Sequence, residues 1–160
     1  MSISQSEALR EQLLHSMRGD QSHIEFESVI GDFPVKLAGR KPGGVPHSAW
    51  QLLEHMRLAQ NDILEFSRKP KYVSPDWPEG YWPETDTPPN DKAWESSVDA
   101  FRKDFKTMQR MIRDTKRNLY ARIEGGTGQT FLREVLVLSA HNSYHLGQLM
   151  FLKKMLLAGA

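Results

Sequence analysis

Apolar side chains along this chain recur at steps of three and four in four long stretches, separated by Pro- and Gly-rich breaks, and no run of period-two alternation competes with them. That periodicity predicts an all-α protein. Ser4 followed by Glu7 has the spacing of a capping box and predicts a first helix to about Met17, with Leu9, Leu13, Leu14 and Met17 inward and Gly19 and Asp20 closing it. Ser22 with Glu25 repeats the spacing ahead of a short helix carrying Phe26, Val29 and Ile30, stopped by Gly31 and Pro34. The stretch LAGRKPGGVP reads as loop. Ser48 with Gln51 opens a second long helix to about Phe66, with Leu52, Met56, Ala59, Ile63 and Phe66 toward the core.

A connection of about two dozen residues follows, RKPKYVSPDWPEGYWPETDTPPND, rich in Pro, Trp and Tyr and without helical period. The third long helix has the most regular seam: Trp94, Val98, Phe101, Phe105, Met108, Ile112, Thr115 and Leu119 alternate at steps of four and three. After GGTGQT, a fourth helix is expected from about Phe131 to Leu157. Four helices of this length make a four-helix bundle, and the short connection between the last two makes them antiparallel neighbours.

Candidate chemistry sits on the last helix. His141 and His145, in SAHNSYHLGQL, are four residues apart, which puts both imidazoles on one helical face about 6 Å apart along the axis, the spacing that two ligands of one metal ion need. Glu134, Val137, Leu138, Gln148, Leu149 and Leu152 lie within about 80° of them on the helical wheel, so the pair belongs to a largely apolar, inward stripe. Two buried imidazoles need partners for their ring nitrogens: either each bonds a neighbouring helix, or one divalent cation satisfies both. His55 shares a face with Leu52, Ala59 and Phe66 on the second long helix and is the candidate third ligand. Three neutral imidazoles leave an ion with open positions, as catalytic sites do.

Composition narrows the chemistry. The 160 residues form one domain, long enough to bury a core without disulfides or a structural metal. With no cysteine, histidine and carboxylate must carry any ligation, and a reducing cytoplasm is the expected location. The opening MSISQSEALREQLLHS lacks an apolar signal core and no apolar run approaches a membrane span, so no membrane partner is expected. Lys plus Arg is 21 against 20 for Asp plus Glu, a net charge of +1 that supplies no long-range field for nucleic acid, and the basic run FRKDFKTMQRMIRDTKR reads as a solvated helix face.

The runs PHSAWQLLEHMRLAQNDILEFS, YVSPDWPEGYWP and FLREVLVLSAHNSYHLGQLMFLKKML resemble the DinB-like (DinB/YfiT-like) superfamily of small helical bundles over nearly the whole chain. The resemblance implies an up-down-down-up bundle and a three-histidine site for a divalent metal on His55, His141 and His145. It also implies frequent homodimers and, for some members, transfer or isomerisation with a low-molecular-weight thiol such as bacillithiol, mycothiol or glutathione. Nothing resembles the extra C-terminal domain of mycothiol-dependent members.

Two functions follow as expectations. One is a metal-dependent enzyme, a thiol-dependent S-transferase or a hydrolase acting on a small electrophile; the other is a non-catalytic, metal-binding, stress-associated dimeric bundle. Nickel, zinc, iron and manganese all suit imidazole. No catalytic residue emerges: Glu54 points about 100° around the helix from His55, and Glu134 lies about 10 Å along the axis from His141. Tyr144 either donates a proton near His141 or is buried and bonded to backbone, and His47 either sits near the site or, like His15 and His23, is a solvent-exposed loop histidine. The loop from Lys69 to Asn90 is expected to lie over the open side of the metal or along a dimer seam with Trp77, Tyr81 and Trp82, or else to pack as a satellite of the core.

Overall fold

The computed structural model describes residues 3–159, and among them the regular elements are helical. Five α-helices follow one another: α1 (Gln5–Arg18), α2 (Phe26–Ile30), α3 (Ala49–Arg68), α4 (Ala93–Arg113) and α5 (Phe131–Ala158). Among the described residues a single antiparallel bridge pairs Arg122 with Thr130. Helix α3 packs against α4 and α5, and α1 packs against α5 and α4, so the four long helices enclose a common core. No helix among the described residues is long and apolar enough to cross a membrane.

Local chemistry sets most helix ends. Ser4 and Ser48 both form complete capping boxes, with Glu7 and Gln51 returning the hydrogen bond to the cap nitrogen. Gly19 ends α1 in the left-handed region at φ 78°, where a side chain would also collide with the His23 ring. The Ser22–Glu25 spacing does not cap α2: Glu25 itself is the cap residue, and it makes no side-chain cap bond. Helix α4 stops at Arg113, short of the expected Leu119. Asp114 adopts extended geometry and its Oδ1 accepts from Lys116 N, a local bond that competes with the next helical turn. Leu119 remains buried, carried back to the core by the following turn, while Thr115 is exposed.

The core divides into two clusters along the bundle. One joins α2, α3, the start of α4 and the end of α5, with Leu53, Met56 and Leu149 fully enclosed; the other joins α1, the end of α4 and the start of α5 around Met108, Ile112 and Leu138. On α3, Leu53 and Leu64 are buried where Ile63 and Phe66 are only half-buried, and on α5 Val137 faces outward. Buried polar groups tie helices together. Arg10 on α1 donates to Ile112 O in the last turn of α4, and Lys153 on α5 donates to Val29 O and pairs with Asp32. Gln60 on α3 donates to Phe101 O on α4 and accepts from Asn142 Nδ2 on α5.

Candidate metal centre

The α3–α5 seam brings His55, His141 and His145 together, His55 and His145 buried and His141 half-buried. The His55 Nε2 atom stands 3.0 Å from His141 Nε2 and 3.2 Å from His145 Nε2. All three potential ligand atoms lie within 4.8 Å of one another. Nitrogens about 2.1 Å from one ion stand about 3.0 Å apart at a right angle and about 3.4 Å apart at the tetrahedral angle, so the two closest spacings suit a shared ion.

Proton accounting sharpens the fit. His55 Nδ1 donates to Tyr81 O at 2.9 Å and His145 Nδ1 donates to Gln148 Oε1 at 2.8 Å. Each neutral imidazole carries one proton, so both Nε2 atoms present lone pairs to the centre. His141 brings at most one more proton, which serves one contact and leaves the other lone pair against lone pair. Its own Nδ1 is buried without a hydrogen-bond partner. A cation at the centre answers this arrangement, and the carbonyl partners of His55 and His145 are the orienting contacts that ligating histidines need.

Near neutral pH a proton does not fill that role. Burial holds all three imidazoles below their ordinary pKa of 6.5, His141 down to about 4, with the neighbouring His145 and His55 pushing His141 further in the same direction. The bond to Tyr81 O and the bond to Gln148 partly offset burial at His55 and His145.

The long connection between α3 and α4 reaches the centre with two of its four aromatics, Tyr81 and Trp82. Trp82 stacks on His55 with ring centroids 4.0 Å apart and planes 4° from parallel. Tyr81 supplies the carbonyl to His55, while its hydroxyl donates to Asp62 on α3 at 2.8 Å. Burial and the bond to Asp62 push the Tyr81 phenol up to about 12, so it stays a hydrogen-bond donor. Trp77 lies mostly exposed against the Tyr81 ring, outside the centre. Ser48 Oγ, besides capping α3, donates to Asp86 O and pins the far part of the same connection.

His47 is not a solvent-exposed loop histidine. It is half-buried and stacks on Trp82 at 4.1 Å, and burial lowers its pKa. Its position ahead of the Ser48 cap carried no directional signal, because residues outside the helix have no wheel angle. His15 and His23 are half-buried too: His15 pairs with Asp20, and His23 bonds Ile24 O and Ser143, all away from the centre. Tyr144 is neither buried nor bonded to backbone; it is 66% exposed and meets the His145 ring edge-on at 4.9 Å. Glu54 is engaged by Arg57 and Ser97, and the buried Glu134 by Arg133.

The chain matches the DinB superfamily over residues 19–149 and belongs to that family. Neither a curated protein nor a solved structure matches it.

Proposed function

We propose that His55, His141 and His145 hold one divalent ion, nickel, zinc, iron or manganese, and that the protein is a metal-dependent enzyme acting on a small electrophilic substrate, a thiol-dependent S-transferase or a hydrolase. The observation that carries the reading is the convergence of Nε2 lone pairs while His55 and His145 spend their Nδ1 protons on carbonyl oxygens. When bound, such an ion lowers the pKa of a coordinated water or thiol and polarises a substrate oxygen. The chain's own part is positioning: Tyr81 O and Gln148 Oε1 fix two tautomers, and Trp82 shields one face of His55.

A second reading, a non-catalytic metal-binding bundle, is favoured by the engagement of Glu54 and Glu134 in ion pairs elsewhere, which leaves neither as a general base. The two separate on one preparation of known metal content assayed for turnover of thiol conjugates of small electrophiles. Metal at one equivalent with turnover lost in His145→Ala supports the enzyme; metal at one equivalent without turnover supports the bundle. Absence of metal after incubation with each of the four ions removes both.

The topology we propose is up-down-down-up, with the long α3–α4 connection as the crossover between parallel helices. A homodimer is proposed along the outside of α5. There Val137, Ala140, Tyr144, Gly147 and Phe151 recur at steps of three and four, exposed, and no charged residue occurs from 136 to 151. Phe151→Lys should convert a dimer to a monomer in sedimentation; a wild-type monomer at micromolar concentration ends this part.

A further inference from the structure

One aromatic-walled cavity lies apart from the imidazole centre. It lies on the other side of the α3–α5 seam, with a volume of about 250 Å³, under α2 and against α4. Its apolar wall is Phe26, Phe101, Phe105, Met56 and Leu146. Phe26 and Phe101 stack at 4.2 Å and Phe105 continues the row at 6.1 Å from Phe101, so flat π-faces line one side. Only the first two residues of the five-residue α2, Phe26 and Glu27, line the space.

Charge at the mouth is unequal. Arg102 is clamped by Glu27 through bonds of 2.8 and 2.6 Å, which neutralises that acid. Lys106, one turn further along α4, is exposed at the mouth and has no ion-pair partner among the described residues. Lys103, Arg110 and Arg113 extend the cationic shelf beyond it, against Asp99, which pairs with Arg102, and Glu25 at the opposite rim. A field of this sign beside an aromatic wall selects an anion with a flat apolar body.

We infer that this cavity is a second ligand site, separate from the imidazole centre, for a small aromatic carboxylate whose ring lies along Phe101 and Phe105 and whose anion meets Lys106. The volume, just under the range for drug-sized ligands, fits a single-ring molecule. Met56, Asn142 and Leu146 each follow one of His55, His141 and His145 in sequence, so the two sites back onto one another across the same pair of helices. The inference does not depend on metal binding.

Benzoate titrated into the full chain, followed by amide and methyl NMR shifts, tests it. Saturable binding is expected with a dissociation constant of about 1 mM or tighter, shifts centred on Phe101, Phe105 and Leu146, and benzamide weaker by about fivefold or more. Lys106→Glu should weaken benzoate by a similar factor, Gln109→Trp at the mouth should abolish it, and His141→Ala should leave it within about twofold. No saturation by about 20 mM benzoate overturns the site. So does loss of binding in His141→Ala, which moves benzoate to the imidazole centre, or wild-type affinity in both Lys106→Glu and Gln109→Trp.

Discussion

Helix α4 buries Trp94, Val98, Phe101, Met108 and Ile112 along one stripe and turns Lys103, Lys106, Arg110 and Arg113 to solvent, whereas α5 is apolar on nearly every side and has polar groups set into its buried face. A sharply two-faced helix turns one stripe to its partners, and α4 packs that stripe against α3 and, toward its end, α1. An all-round apolar helix must be covered on more sides, and α5 meets α1, α2 and α3 while still exposing Leu136, Tyr144 and Phe151. The buried face of α5 also contains Asn142 and Lys153, each bonded across to another element, and His145, whose Nε2 faces that of His55, with half-buried His141 at its margin. The regular helix thus contributes apolar packing, whereas α5 adds to its own packing the buried polar groups of the candidate site, which persist only where partners answer them.

The largest expected effects test that division directly. On α4, Met108→Ala should cost about 2 to 5 kcal/mol, read by denaturant unfolding, and leave metal per folded molecule unchanged. On α5, His141→Ala or His145→Ala should weaken metal binding by more than the roughly 10- to 100-fold typical of an outer-shell partner, with circular dichroism still helical. Unfolding of the histidine variants, or metal loss in Met108→Ala, would show that the two roles are not separate.

Legibility followed the same line. Helix α4's seam was readable residue by residue because a 3-4 repeat encodes burial directly, yet it overran the true end: Thr115 and Leu119 keep the spacing, and only the Asp114 turn breaks the helix. The histidine triplet was legible for the complementary reason, that His55, His141 and His145 violate an apolar stripe. What surrounds them was not. Trp82 and the Tyr81 carbonyl come from a segment without period, His47 from a position without a wheel angle, and the outward turn of Val137 and Tyr144 is hidden because α5 has no polar face to orient it.

Acid should separate the helices next. His141, His145 and His55 have folded-state pKa values below the unfolded 6.5, so between about pH 6.5 and 4 the unfolded chain binds protons that the native metal-free chain does not. Stability contributed by neutral burial is therefore full above pH 6.5 and falls as pH drops through that window. The lowered carboxylates, Asp20 and Glu27 among them, lose their contribution only below the ordinary carboxylate range. Melting temperature of the metal-free protein should accordingly decline from pH 7 to 5, and a His141→Leu variant should show a flatter decline. Equal slopes would assign the acid sensitivity elsewhere.

A smaller effect is expected one contact away from the ligands. Gln148→Leu removes the acceptor for His145 Nδ1 and should weaken metal binding about tenfold, equivalent to about 1.4 kcal/mol. Ser97→Ala on α4 removes a donor to Glu54, and should cost about 1 kcal/mol of stability with metal affinity intact. Competitive titration against a chromophoric chelator reads the first and urea unfolding the second; a metal effect of equal size in both would blur the contrast.

The smallest contrast lies at the helix starts. Thr130 Oγ1 accepts from Arg133 N at 3.2 Å and caps α5, whereas Lys92, at the start of α4, has helical dihedrals and makes no side-chain cap bond. A hydroxyl cap satisfies one of the unpaired amides of the first turn, and its loss typically costs about 1 kcal/mol. Thr130→Ala should therefore lower stability by about that amount, while Lys92→Ala should fall within about 0.5 kcal/mol of wild type, as surface changes without a partner do. Amide exchange adds the location: faster exchange confined to the first turn of α5 is expected in Thr130→Ala, because α4 is held by its packed stripe and not by its cap. Equal losses in the two variants would mean that α4 depends on its N-terminus as much as α5 does, and that its regular seam is not what holds it.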